Sequence, residues 1–399
     1  MTRFSLLLIL LLLSVRTAEA DNLFDTQQDK IRAYGFLTQG WIKSSHNNYF
    51  GDSTSQYGSF DFRELGVGLT ARPTDKVRFS ALALSRNAGG TDKGGVRIDH
   101  ALIDISLGSS RLGDWGMIVG REKIPLGFYN SSRDVANTRP SILLAQSNYF
   151  DNARRFMIHH DGVVVYLDSF YGDHSLKTQL NFSKTPGTNN IETESYFLGR
   201  DWPGPIDGHY GPKLKVHYEN LATRTKAQVY LAKVPITYSP VAGDTLGAGT
   251  IHIDVAWLSF GQEIGNFEFV VETFLPKLEY KGFGKIPDRV THPRGYYTQV
   301  TYRPTYDLEL FGRYDVMILN KDDRDGKKYA LATRRPAYDA FANNSTLGVR
   351  YFLRRNLALS AEYHWIDGTG WLPLQDSPDV ASHVQKWGML MGQISYSFQ

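Results

Sequence analysis

The sequence predicts an all-β fold, a transmembrane antiparallel β-barrel of about 16 strands. Two regularities carry this prediction: apolar and polar residues alternate along many short segments, and the links between these segments are alternately short and long. Strands that face lipid on one side and water on the other produce the first regularity. Tight turns at one end of a barrel and long loops at the other end produce the second.

The alternation is clearest between residues 356 and 365. Every second residue there is apolar, namely Leu357, Leu359, Ala361, Tyr363 and Trp365. An amphipathic helix would instead space its apolar residues by three and four positions. About 16 segments share the period of two, and the even number is typical of single-chain bacterial barrels. Their centres lie near residues 37, 65, 81, 102, 118, 162, 179, 215, 229, 255, 271, 298, 313, 348, 361 and 392.

The long links between these segments all fall at the same end of the predicted barrel. We expect them at residues 44–58, 88–95, 124–156, 184–209, 235–249, 278–292, 320–343 and 368–385. A soluble β-sandwich has no physical reason to alternate short and long links over 16 strands. The rhythm of the links therefore favours the membrane barrel.

The first 20 residues have the pattern of a secretory signal peptide. Arg3 is followed by an apolar run from Phe4 to Val15, which is too short to span a membrane as a helix. The small residues Ala18 and Ala20 fit a signal-peptidase site. We therefore expect residues 1–20 to be removed after Sec-dependent export, and residues 21–399 to form one barrel domain in the outer membrane.

Composition excludes several classes of function. The formal net charge is only +3, which gives no basic surface for a nucleic-acid partner. Cysteine is absent, so disulfides, thiolate zinc sites and cysteine nucleophiles are excluded. His159 and His160 are adjacent in a predicted strand and point to opposite faces, which does not suit a metal site. No Gly-x-Ser-x-Gly segment occurs either. We expect no cofactor, no metal and no enzymatic activity, although a membrane-bound hydrolase would also be a barrel.

The third long link, residues 124–156, is too long for a turn, and loops of this length tend to be functional. Six basic and three acidic residues lie between Arg121 and Phe156. Basic side chains around a constriction favour anions. An open alternative is a solvated loop whose arginines pair with acids and with lipopolysaccharide phosphates. The predicted constriction residues are Arg121, Lys123, Arg133, Asp134, Arg139, Arg154 and Arg155.

The parity of the strands predicts which charged residues line the lumen. A lysine or arginine facing lipid at mid-depth costs roughly 2–4 kcal/mol, so charges on a strand should face inward. Arg121 shares the apolar side of Val119, and its orientation stays open. An alternative for the whole set is that it hydrates a pore without selectivity. The predicted pore-lining residues are Glu64, Arg78, His100, Asp104, Lys213, Lys215, Lys226, Arg313, Asp315 and Glu362.

The start of the third long link resembles a known family. Residues 120–130 read Gly-Arg-Glu-Lys-Ile-Pro-Leu-Gly-Phe-Tyr-Asn and continue to Arg133-Asp134 and Arg139-Pro140. This segment resembles the constriction segment of a porin-like branch of Gram-negative outer-membrane porins, related to the phosphate-selective porins, and residues 47–66 resemble the same branch. The dense arginine and lysine ladder of the phosphate-selective members is not matched here.

The resemblance implies a third loop folded into the lumen. We expect passive diffusion of small hydrophilic solutes, since nothing resembles an energy-coupling segment, and the basic excess of the loop predicts a weak preference for anions. The resemblance also implies a homotrimer that contacts outer-membrane lipid and lipopolysaccharide. Two alternatives stay open: a substrate-specific channel for an oxyanion or a small carbohydrate, and a non-conducting receptor or adhesin barrel.

Overall fold

The computed structural model describes residues 30–186, 197–198, 204–285 and 287–398. The predicted signal peptide lies outside these residues, as does part of the fourth long link. In the described part, no helix is long and apolar enough to cross a membrane.

The described strands form one closed antiparallel sheet. Leu37 in the first strand pairs with Leu65 in the second and with Tyr396 in the last, which closes the barrel. Closure leaves no sheet edge, so backbone N–H and C=O groups are paired within the wall, as a lipid environment requires. The strands are β1 (Ile31–Ser44), β2 (Arg63–Thr74), β3 (Val77–Ala88), β4 (Asp92–Ser110), β5 (Gly113–Lys123), β6 (His159–Tyr171), β7 (His174–Lys184), β8 (Ile206–Gly208 and Tyr210–Asn220), β9 (Thr225–Tyr238), β10 (Gly249–Ile264), β11 (Phe267–Phe274 and Lys277–Lys281), β12 (Arg289–Thr291 and Arg294–Tyr302), β13 (Leu308–Ile318), β14 (Phe341–Arg354), β15 (Leu357–Gly368) and β16 (Lys386–Phe398).

Three of these strands are interrupted. The two segments of β8 both pair with β9, those of β11 both pair with β10, and those of β12 both pair with β11. Each pair of segments therefore counts as one strand of the wall. The prediction of about 16 strands is confirmed, and all 16 predicted centres fall inside the observed strands.

The link between β3 and β4 is much shorter than expected. The sequence predicts a long loop at residues 88–95, but only residues 89–91 lie between the strands. Asp92 and Lys93 already pair with Ala88 and Asn87. Gly89 makes the reversal possible with a φ of +59°, a conformation that favours glycine. The prediction was wrong here because polar residues and glycines extend a hairpin rather than form a loop.

The wall is apolar outside and polar inside. On β2, Leu65, Val67 and Leu69 are 48–55% exposed, whereas the neighbouring Glu64 is fully buried. Strand β11 repeats the pattern, with Val271 exposed and Glu272 buried. A water-soluble protein has the opposite distribution. The exposed apolar face fits lipid, and the buried polar face surrounds the lumen.

We expect a lysine to be far more costly on the outer face than on the inner face of the same strand. Leu180 is an exposed outer-face residue near the middle of β7, and Gln179 beside it faces the interior. Leu180→Lys should destabilise the barrel in lipid vesicles, lowering its free energy of unfolding by about 2–4 kcal/mol. Gln179→Lys is the matched control and should lower it much less. Equal losses in a reversible folding titration would contradict the assignment of the two faces.

Candidate functional site

The third loop, residues 124–158, connects β5 to β6. It contains two single 3-10 turns, Ala136–Thr138 and Asp151–Ala153, and one helical turn, Arg154–Met157. All residues from 141 to 151 are buried. Loops on a protein surface are normally exposed. This loop is instead packed against side chains of the inner wall.

Two inner-wall carboxylates bind the loop backbone on one side of the barrel. Glu362 of β15 accepts hydrogen bonds from the N–H groups of Ile142 and Leu143, both at 2.9 Å. Asp315 of β13 accepts from the N–H of Ser147 at 3.3 Å. A buried N–H without an acceptor is costly, so these carboxylates fix where the loop backbone lies.

A third carboxylate, Glu272 of β11, holds another part of the loop. It accepts hydrogen bonds from the N–H of Phe128 at 2.7 Å and from the hydroxyl groups of Tyr297 and Tyr149. Nearby, the amide of Gln228 donates to the carbonyl groups of Pro125 and Gly127. The first part of the loop is thereby attached to β9 and β11.

The middle of the loop joins a network of buried ion pairs on β2 and β3. Glu64 accepts hydrogen bonds from Arg86 and from Arg139, each at 3.0 Å. Asp151 lies 3.0 Å from Arg86 and 3.5 Å from Arg133. These side chains are no more than 5% exposed. Strand β2 lies roughly opposite β11 in a 16-stranded barrel, so the loop connects opposite walls.

The network continues to the base of the loop. Asp134 contacts both Arg154 and Lys123, and Lys123 also lies 2.6 Å from Asp99 of β4. Burial lowers the pKa of the Arg154 guanidinium. Carboxylates of the wall and of the loop itself therefore match the basic residues nearly one for one. The positive charge expected from the loop sequence alone is neutralised.

Five of the seven predicted constriction residues meet in this network, namely Lys123, Arg133, Asp134, Arg139 and Arg154. The other two lie elsewhere. Arg121 is on the outer face with Val119 and pairs with Asp161 at 2.7 Å. Arg155 is 41% exposed and lies 3.3 Å from Asp92. We leave Arg121 out of the site because its side chain is outside the lumen.

The predicted pore-lining residues differ in burial and in their position along the barrel. Five are buried against the loop or the wall, namely Glu64, Lys213, Arg313, Asp315 and Glu362. Lys226 pairs with Glu268 at 2.7 Å, and Lys215 is half-buried. The remaining three, Arg78, His100 and Asp104, lie toward the short-turn end of the barrel.

A cavity of about 700 Å³ opens at the short-turn end. Arg78 and Asp104 form a 2.7 Å ion pair on its wall, and the Tyr166 hydroxyl donates to Asp104 at 2.9 Å. Its lining contains four basic and two acidic residues, so its charge is positive, unlike the balanced network around the loop. These residues are Lys30, Arg72, Lys76, Arg78, Asp75 and Asp104.

Sequence reasoning missed four important side chains. Arg86 and Glu272 lie on the inner face of β3 and β11, so strand parity could have found both. Asp99 lies at a register shift of β4, where parity fails. Asp376 lies in the last long link, residues 369–385, for which no sequence rule indicates a contact.

Asp376 joins three links at the long-loop end. It accepts hydrogen bonds from the N–H groups of Phe50, Gly51 and Gly90, at 2.8–3.1 Å. Burial, with a smaller contribution from the nearby Asp52, raises the pKa of this carboxyl group to about 6 against the opposing effect of the three N–H donors. Asp376 is thus a titratable contact outside the membrane-spanning strands.

Comparisons with known proteins identify the fold. No family model and no curated protein sequence matches this chain. OmpT of Vibrio cholerae is similar in structure, with 11% identity, a TM-score of 0.58, and coverage of 94% of this chain and 99% of that chain. The chain has the barrel fold of outer-membrane porins. A second structure of OmpT is described as a trimer form.

Two other solved structures share this fold. The outer-membrane channel DcaP of Acinetobacter baumannii has 13% identity and a TM-score of 0.56, covering 92% of this chain and 97% of that chain. An anion-selective porin from Comamonas acidovorans has 12% identity and a TM-score of 0.53, covering 92% and 99%. In the described part of this chain, no group of three His, Asp or Glu side chains could hold a metal ion.

We expect Glu64→Gln to destabilise the barrel strongly, because it leaves the buried guanidinium group of Arg139 without a carboxylate and removes one of the carboxylates that pair with Arg86. Removing one partner of a buried ion pair costs about 3–5 kcal/mol. Unfolding in urea, followed by tryptophan fluorescence, measures the loss. Glu279→Gln is the control, since Glu279 pairs with Lys281 at an exposed site. Similar losses in both variants would show that the network does not hold the loop.

The contact at Asp376 should weaken as the pH rises from 5 to 7. Its pKa in the closed contact is about 6, above the ordinary 3.8, so the closed contact binds the proton more tightly than an open one. This stabilisation is full below pH 4 and is lost as the pH rises through 6. Hydrogen exchange at Phe50, Gly51 and Gly90, corrected for intrinsic rates, should therefore accelerate. Asp376→Asn should remove this dependence, and an unchanged profile in that variant would refute the assignment.

Proposed function

We propose that this protein is an outer-membrane porin through which small hydrophilic solutes diffuse passively. The observation that carries the proposal is the third loop, which is hydrogen-bonded to side chains on opposite inner walls through Glu64, Glu272 and Glu362. A loop held across a polar lumen narrows the path and excludes large solutes. The fixed network gives this constriction a defined size, since each buried partner restricts the positions of the others.

The channel is a narrow one. Apolar side chains from the loops and the inner wall fill much of the long-loop end, where Tyr49, Phe50, Trp371 and Trp387 form one buried cluster. The short-turn end, in contrast, has an open charged cavity. Solutes would therefore pass a tight segment at the long-loop end and then the wide cavity at the short-turn end, which we call the vestibule. We expect a lower conductance than an unobstructed 16-stranded barrel would have.

We assign the weak anion preference to the vestibule at the short-turn end rather than to the third loop. Basic residues in the loop are neutralised by carboxylates of the loop and of the wall, and a neutral cluster exerts little field on a passing ion. The vestibule keeps an excess of two basic residues. The similar fold of the porin from Comamonas acidovorans, which is described as anion-selective, supports this assignment.

We further propose that residues 1–20 direct export, that the protein resides in the outer membrane, and that it assembles as a homotrimer in contact with lipopolysaccharide. The exposed apolar outer face supports the membrane location. The trimer form described for OmpT of Vibrio cholerae, a protein of the same fold, supports the assembly. We propose no catalytic role.

Planar-bilayer recording of the purified protein tests the proposal. We expect discrete channels whose reversal potential in a KCl gradient lies on the anion side. The double variant Arg72→Glu, Lys76→Glu should move it toward the cation side, because the vestibule changes from basic to acidic. Absence of channels at any voltage would overturn the porin function in favour of a receptor or adhesin barrel.

The matched control is the double variant Arg354→Glu, Arg355→Glu. These two exposed arginines lie at the same end of the barrel, at the last residue of β14 and in the turn after it, but do not line the vestibule. The same change in net charge should leave the reversal potential nearly unchanged. Equal shifts in both variants would mean that overall charge, rather than the vestibule, sets the selectivity.

A further inference from the structure

A small apolar cavity lies between the third loop and the inner wall, away from the charged network. Its volume is about 70 Å³. Ile124, Leu126 and Met157 of the loop line one side, and Ala232 of β9 and Ile253 of β10 line the other. Water is stable in a cavity only with two to four polar partners, and apart from Lys213, Thr185 and Tyr230 the lining residues are apolar. The cavity therefore suits an apolar group better than water.

One charged side chain, Lys213 of β8, borders this cavity. It is 4% exposed. Its ammonium group donates hydrogen bonds to the backbone carbonyl and to the hydroxyl of Ser183, which are both neutral. Among the described residues, no carboxylate oxygen lies within 4.0 Å of it. An ammonium group has three donors, so one remains available.

Two other buried or half-buried lysines of the interior are paired with carboxylates. Lys123 lies 2.6 Å from Asp99, and Lys226 lies 2.7 Å from Glu268. Burial of a charge without a counter-charge is expensive, and buried charges in proteins are normally paired. Among the described residues, Lys213 thus lacks the carboxylate that Lys123 and Lys226 have, and it lies at the rim of an apolar space.

We propose that this cavity binds a short-chain monocarboxylate, with the carboxylate on Lys213 and the alkyl tail in the apolar space. An anion would supply the missing counter-charge and accept the free donor. An apolar tail would fill the space that water does not occupy. A divalent oxyanion such as phosphate has no apolar part and would leave the cavity empty.

The volume limits the length of the tail. Water occupies about 30 Å³ in the liquid, so 70 Å³ corresponds to roughly two or three carbon-sized groups. Burial of each methylene raises affinity by about fourfold. Affinity should therefore increase from acetate to propanoate to butanoate and then stop increasing. Longer chains such as octanoate should bind no better, because the cavity is full.

This inference goes beyond the proposed porin function and does not depend on it. Binding is measured at equilibrium on the folded barrel, without a membrane or a voltage. A protein that conducts no ions could still bind the acid, and a conducting pore could fail to bind it. The two proposals can therefore fail separately.

Saturation-transfer NMR on the purified full-length barrel in detergent provides the test, with sodium acetate, propanoate, butanoate and octanoate as probes. We expect transfer to the butanoate tail, with a dissociation constant at least tenfold lower than for acetate. Butanamide, which has the same tail without the charge, should bind at least tenfold more weakly than butanoate. Equal binding of the acid and the amide, or no transfer to butanoate, would overturn the proposal.

Three variants localise the binding. Lys213→Met keeps the apolar stem and should remove the difference between butanoate and butanamide. Ala232→Leu, directly across from Lys213 in the wall, should fill the cavity and remove the dependence on chain length. Lys215→Met is the matched control on the same strand and inner face, and should bind as the native chain does. Equal loss in the two lysine variants would contradict the site. Should a variant fail to fold, the probe series on the native chain still decides.

Discussion

The requirement that no backbone polar group face lipid unpaired determines the rest of this structure. A closed sheet satisfies it, because each strand finds a partner on both sides. Closure then separates two faces on every strand, one toward lipid and one toward the lumen. The outer face can accept only apolar residues at mid-depth, so the charged residues of the strands collect inside. The charged interior is therefore a consequence of the wall rather than an independent feature.

The charged side chains of the interior need hydrogen-bond donors and counter-charges once they are buried, and the third loop supplies both. A barrel of sixteen strands encloses a wide lumen, in which carboxylates such as Glu272 and Glu362 would otherwise be hydrated. Here these groups accept N–H bonds from the loop backbone, and the loop in turn supplies arginines to Glu64. The loop and the wall neutralise and desolvate each other. Neither the buried arginines nor the buried carboxylates would be tolerable without the other set.

This mutual dependence explains what the sequence could and could not predict. The strands follow from local alternation, and each predicted centre falls in an observed strand, because lipid imposes the same period of two everywhere. The excess of basic residues in the third loop, in contrast, did not predict that nearby carboxylates neutralise it. Arg139 and Glu64 are 75 residues apart, and no local pattern indicates that they meet. The placement of Arg121 could not be predicted for the same reason, since its partner Asp161 is 40 residues away in sequence and lies on the outer face of the neighbouring strand.

The distribution of unmatched charge separates the structural part of the interior from the part available to solutes. Around the third loop, nearly every cation has a carboxylate within 4 Å, so the loop network has little net charge to offer. In the described part of the chain, the vestibule departs from this balance with its excess of basic residues, and so does Lys213, whose ammonium group donates to Ser183. Because the other buried cations of the network are paired with carboxylates, these cations contribute little to the stability of the fold. We propose that their electrostatic attraction acts on anions that enter from solution, broadly in the vestibule and at a single point beside Lys213.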